Sequence, residues 1–309
     1  LTHVVGGSAG REGAALQIGG SIGCQVGRLF RQDDRNVRVA TMCGMSAVFA
    51  ALFGTPLTAA VFALEVLTVG GFYYMAFIPC LIAALTGYGV SLLFRLPPTR
   101  FAILEAFDLS PAGVLQIMAL SVLCALVSIA FCVSMHKTER LLQRKLVNPY
   151  ARVLLGSAVL IVLTLLCGTD YNGAGTDVIT AAMGGAAVPW AWALKIVFTA
   201  LTIGCGFKGG EIVPAFFIGA TFGCFMGGLL GIPASFGAAL GIVAVFCGAV
   251  NCPIASLILS VELFGAGELS YFAIACGVSY MLSGYYGIYQ SQEIRYSKLK
   301  PEKIEIHAK

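Results

Sequence analysis

The sequence predicts an all-α, polytopic membrane protein built from two halves of inverted topology, with helices that are broken and tilted rather than continuous. Three observations lead there. The chain is 58% hydrophobic and 11% charged, with a mean hydropathy of +0.89, a balance that belongs to integral membrane proteins. Its apolar runs are interrupted by glycine and proline, and in lipid such breaks survive only where protein or a water-filled cavity satisfies the freed backbone groups. Finally, two blocks of sequence recur in the same order in the two halves.

Taken along the chain, membrane-spanning segments are expected at roughly 39–69, 71–94, 112–135, 151–167, 190–207, 214–231, 235–264 and 268–289. Most are long enough to cross a hydrocarbon core of about 30 Å. Basic clusters at 28–38, 137–145 and 295–309 flank these runs, and the bias of Lys and Arg places them in the cytoplasm. Because they border membrane spans, they read as topology signals rather than as a nucleic-acid surface. The expected organisation is a single transmembrane domain over 1–309, with a first repeat at about 1–105, a second at about 106–290 and a cytoplasmic tail at about 291–309. The chain opens on Leu1, a few residues before a glycine-rich stretch, and this reads as a fragment whose upstream helices are absent.

The eleven cysteines are scattered through apolar segments without a CxxC pair, and read as small core residues. His3, His136 and His307 share no ligand spacing, so neither a metal site nor a cofactor is expected. No Ser/His/Asp set and no H-E-x-x-H motif is present, which argues against an enzyme.

The repeat is visible by inspection. "GREGAALQIGGSIGCQVGRLFR" aligns without gaps to "GEIVPAFFIGATFGCFMGGLLG", matching Gly10 with Gly210, Gly19 with Gly219, Gly23 with Gly223, Cys24 with Cys224 and Gly27 with Gly227. A second block, "GTPLTAAVFALEV", parallels "NCPIASLILSVEL", each with a proline followed nine residues later by a glutamate: Pro56 and Glu65, Pro253 and Glu262. Glu65 and Glu262 therefore hold equivalent places and read as structural.

Both glycine-rich stretches read as helix starts. Glycine lets the backbone turn and approach a ligand closely, and Pro214 suits a first helical turn where no N–H is needed. A helix N-terminus carries unsatisfied N–H groups and about half a positive charge. Two such ends meeting inside a membrane make an anion site without a buried lysine. The spacing of Gly6, Gly10 and Gly13 lacks the preceding strand and following acid of a dinucleotide fingerprint. Glu12, at the mouth of the first start, would occupy the anion site when ionised and leave it on taking a proton or on displacement by an anion, acting as gate and proton carrier.

At these residues the chain resembles the CLC family of anion channels and anion/proton antiporters. "GREG" with its helix, the second glycine–proline start and the Pro-to-Glu repeat carry the resemblance over nearly the whole chain. It implies a homodimer in the cell membrane of a bacterium, one pore per subunit, two inverted repeats, and Glu12 as the gating glutamate. "GFKGGEIVPAFFIGATFG" and "SGYYGIYQSQ" resemble the fluoride/proton antiporter branch, which implies Tyr289, ahead of Tyr285 and Tyr286, as the pore tyrosine. Gly10, Arg11, Gly13, Gly210, Ile212 and Val213 are the expected anion-binding positions around the two starts.

Three positions depart from the family pattern. Ala14 stands where chloride-transporting relatives carry proline, Val213 lacks a hydroxyl expected in the fluoride branch, and Val66 stands where the inner proton-transfer glutamate of chloride/proton exchangers would be. Glu211 is the substitute acid, since a carboxylate within a membrane marks a functional site, and Lys208 is placed to stabilise its charged form. The expected function is export of fluoride in exchange for protons; the alternative is a chloride/proton exchanger or a passive chloride channel of the same fold.

Overall fold

A computed structural model describes residues 2–3, 6–105, 107 and 110–309. Its twelve α-helices are α1 Glu12–Leu29, α2 Asp34–Phe53, α3 Pro56–Glu65, α4 Phe77–Leu93, α5 Pro111–Lys145, α6 Pro149–Cys167, α7 Thr176–Met183, α8 Ala191–Gly204, α9 Ile212–Leu229, α10 Ala234–Val250, α11 Pro253–Phe264 and α12 Leu269–Leu282. Five helical stretches are long and apolar enough to cross a membrane: Asp34–Phe53, Tyr74–Leu93, Pro111–Lys145, Pro149–Cys167 and Ile212–Leu229. Their starts follow from sequence. Pro111 and Pro149 open the first turns of α5 and α6, and Ser110 and Asn148 accept hydrogen bonds from the amides that follow.

Two of the expected spans are corrected. The runs 39–69 and 235–264 are each a pair of helices, α2 with α3 and α10 with α11. Gly54 ends α2 and Asn251 ends α10, both left-handed with φ 71° and 58°. A proline then starts the next helix two residues on, because it cannot continue the old one. The span expected at 112–135 runs on to Lys145 as a 35-residue helix, about 52 Å long. The basic cluster 137–145 therefore projects on the end of a membrane rod instead of lying in a loop.

Small residues let the paired helices cross closely, as packing without a hydrophobic driving force requires. An added Cβ at Gly19 would strike the Gly44 carbonyl on α2, and one at Gly23 the Ala40 carbonyl. The same two contacts recur in the second half, Gly219 against Gly241 and Gly223 against Gly237, between α9 and α10. Around the latter pair α10 is buried along its whole length, and forms the centre of the core.

Glu65 and Glu262 cap helices reciprocally. The Glu65 carboxylate accepts from the amides of Ile254 at 3.2 Å and Ala255 at 2.8 Å, at the start of α11. Glu262 accepts from the amides of Leu57 at 2.9 Å and Thr58 at 2.8 Å, and from the Thr58 hydroxyl at 2.6 Å, at the start of α3. Each half thus satisfies the exposed N–H groups of the other.

The tail is structured. Strands β1 Thr68–Val69, β2 Glu293–Tyr296 and β3 Lys303–His307 form one sheet in that order, β1 parallel and β3 antiparallel to β2. Between the last two strands, the Lys298 ammonium reaches back to Asn251 Oδ1 at 2.5 Å, Ser283 Oγ at 3.0 Å and the Tyr280 carbonyl at 3.0 Å. Asn251 Nδ2 donates to Gln292, whose own amide donates to the carbonyls of Val66 and Val250. A chain of polar side chains therefore bolts the tail onto the break between α10 and α11 and onto the end of α3.

Candidate functional site

The two glycine-rich starts meet head to head. Gly10 N donates to Gly210 O at 2.8 Å, and Gly210 N donates to Gly10 O at 2.9 Å, an isolated antiparallel bridge. Arg11 and Glu211 take the equivalent N-cap positions of α1 and α9, both with φ −103°. The backbones approach so closely that a Cβ on Gly13 would lie 2.9 Å from Gly210 Cα, and one on Gly210 2.6 Å from Gly13 N. Gly10 and Gly210 spend their amides on each other, while the next amides of α9, those of Ile212 and Val213, lie outside this bridge.

The Val213 amide is already engaged. Glu12 is 2% exposed, and its Oε1 accepts from Val213 N at 2.9 Å. The carboxylate therefore sits at the positive end of the α9 dipole, where a free anion would bind. The Ile212 side chain is fully buried and that of Arg11 is exposed.

Cavities open on either side of this junction. One, of about 930 Å³, is lined by Glu12, Val213, Arg11, His3, Asn172 and Gly173 among others. The second, of about 680 Å³, is lined by Glu211, Tyr289, Gly13, Val66 and Gln292, and runs along α1 past Gln17, Ser21 and Cys24 toward Arg28. Glu12 lines the first cavity and Glu211 the second, so the two acids open onto different cavities.

Tyr289 is the tyrosine of "SGYYGIY" that lines the second cavity. Tyr285 is turned away by a hydrogen bond to Ser297 Oγ at 2.9 Å, and Tyr286 packs against the core. Val66, in place of an acid, has its carbonyl tied to Gln292. The ion pairs among the described residues are Arg295–Glu293 and Lys303–Glu305, both in the tail. Lys208 is exposed and forms none with Glu211.

Sequence reasoning passed over Lys195. It is fully buried on α8 and donates to the carbonyls of Tyr171 at 3.1 Å and Gly173 at 2.8 Å. A lone lysine inside the apolar run 190–207 was the available signal. The Lys298–Asn251–Gln292 chain carried no comparable signal, because it joins the tail to Asn251, some forty residues upstream.

Broken helices meeting at their N-termini, a carboxylate held on a helix start and cavities to either side define a multi-pass membrane protein of the ion-transport class. The chain belongs to the voltage-gated chloride channel family, whose model matches residues 1–284. It is 36% identical over 316 residues to a chloride/fluoride channel protein of Pseudomonas syringae pv. tomato, covering 99% of this chain and 70% of that relative. Among solved structures it is similar to a CLC-type fluoride/proton antiporter, with a TM-score of 0.90 and 36% identity over 94% of this chain and 73% of the other. A slow cyanobacterial Cl⁻/H⁺ antiporter shares the fold, with a TM-score of 0.78 at 19% identity over 91% of this chain and 69% of the other.

Proposed function

We propose that this chain moves fluoride out of the cytoplasm in exchange for protons, with Glu12 as gate and proton carrier and Glu211 as the second proton-transfer acid. The observation that carries the reading is the Glu12 carboxylate on the Val213 amide at 2.9 Å, at the neck between two cavities. When ionised it fills the site; when protonated it has less hold on the helix dipole and yields to an anion. Likeness to the fluoride/proton antiporter structure supports the choice of ion. Fluoride is a strong hydrogen-bond acceptor, and the amides of Ile212 and Val213 with the Tyr289 hydroxyl supply donors from both sides.

The second cavity runs along α1 to Cys24, toward the basic cluster at 28–38, and the bias of Lys and Arg supports a cytoplasmic position for it. Protons then reach the junction by Glu211 from the cytoplasm and by Glu12 from outside. The two repeats, about 1–105 and 106–290, meet at this junction, and the recurring glycine contacts of α1–α2 and α9–α10 support that division. The working unit is a homodimer with one pathway per subunit.

Purified protein in liposomes tests the reading: an outward fluoride gradient should drive protons inward, and a proton gradient should drive fluoride uphill. Chloride moving equally well with protons favours the chloride/proton exchanger. Anion flux without proton movement favours the passive channel.

A further inference from the structure

Lys195 poses a problem of charge. An ammonium buried in a membrane protein is costly unless something of opposite sign balances it. Its Nζ donates to two carbonyl oxygens, Tyr171 O at 3.1 Å and Gly173 O at 2.8 Å, and lies 4.8 Å from the centre of the Phe217 ring. No carboxylate forms an ion pair with it among the described residues. Two carbonyls need donors, but a neutral amide would serve them; the full charge is left without a local reason.

Position supplies one. Gly173 and Asn172 line the same cavity as Glu12, so Lys195 stands directly behind that cavity's wall. Phe217 lies in α9 one turn beyond Val213, the residue whose amide holds Glu12. Charged and titratable groups on this side are His3, Arg11 and Glu12 from the segment entering α1, Arg100 from the segment before α5, Asp170 and Tyr171 from the turn before α7, and Asp177 in its first turn. Helix α6 sets Arg152 against Cys205, ten residues further along α8. Of the carboxylates among these, Glu12 is the buried one, and it is held on the start of α9 one turn from Phe217.

Resting on the anion/proton exchange reading above, we propose that Lys195 is a fixed positive charge whose counter-ion alternates between the Glu12 carboxylate and the transported anion. While Glu12 is ionised it balances the ammonium. Once Glu12 takes a proton, the balance is lost and the outer part of the pathway attracts an anion in its place. Lys195 is thus a positioning residue: it touches neither ion, yet it ties anion arrival to the protonation of Glu12.

The test is fluoride exchange in liposomes by Lys195→Met, Lys195→Gln and Lys195→Arg, each confirmed as folded dimer by size exclusion. The neutral variants should raise the half-saturating fluoride concentration on the order of tenfold while keeping much of the maximal turnover, and Lys195→Arg should stay within about twofold of wild type because it keeps the charge. A merely structural lysine would lower the yield of folded protein and leave half-saturation unchanged. Folded Lys195→Met with wild-type half-saturation, or Lys195→Arg shifted as far as Lys195→Met, overturns the proposal. Should neither neutral variant fold, Lys195→Arg decides alone, within about twofold supporting the charge and a tenfold rise overturning it. Wild-type protein that moves no anion against protons would refute the transport reading instead, so the two failures are distinct.

Discussion

Glu12 and Val213 lie 201 residues apart in sequence and are joined by one hydrogen bond of 2.9 Å. That bond places the side chain of one half on the helix start of the other, so under the proposed mechanism protonation of Glu12 would loosen the contact between halves and vacate the site together.

Replacing Glu12 by Gln leaves an oxygen to accept from Val213 but removes both the charge and the exchangeable proton. Proton coupling should be abolished, with anion flux either arrested or passive. Simultaneous fluoride-electrode and pH recording reads this directly. Retained proton-driven exchange removes Glu12 from the mechanism.

Glu211 lines the second cavity and pairs with no lysine, which leaves its carboxyl available to exchange protons with water there. Substituting Gln should lower proton flux about a hundredfold or more, the scale of a lost acid–base group, with little change in the amount of folded protein. Unchanged flux per folded dimer would make it structural.

The Tyr289→Phe change keeps the ring and removes one donor from the second cavity. Losing a hydrogen bond to a charged partner costs about 1–3 kcal/mol, roughly 5- to 150-fold in affinity. Fluoride, the stronger acceptor, should lose more than chloride, so competition flux should show a smaller fluoride/chloride ratio. Tyr285→Phe, where the hydroxyl is tied to Ser297, is the control and should leave the ratio alone.

Burial pushes the Lys298 ammonium down from 10.5 to about 8. Since the folded value is the lower one, this group's contribution to stability is fully present above about pH 10.5 and is lost as the pH falls through about 8. Thermal unfolding between those limits should show wild type gaining on Lys298→Met as the pH rises. A constant difference across the window means that the latch does not titrate there.

The parts of the site legible in sequence were those carried by local pattern. Glycine and proline marked both helix starts, and the repeat announced that the starts correspond. Pairing across the repeats was less legible: nothing around Glu65 says that its partners are Ile254 and Ala255 rather than amides nearby. The strands of the tail were not foreseen because β2 and β3 span only four and five residues and β1 lies far upstream, so no hydrophobic period reveals them. Apolar runs misled at 39–69 and 235–264, where hydropathy continues through a break that only Gly54–Pro56 and Asn251–Pro253 betray.

The crossed caps also set a timetable for synthesis. Helix α3 is made with Leu57 and Thr58 facing no acceptor, and the carboxylate that answers them arrives 205 and 204 residues later. At translation speeds of 5–20 residues per second, that interval is roughly 10 to 40 s. During it, the start of α3 has to stay with water, a chaperone or the insertion machinery, because bare amides in lipid are too costly. Neither half can settle into its final position before Glu262 has been made, and a gene split between the repeats would yield two pieces that mature only by meeting.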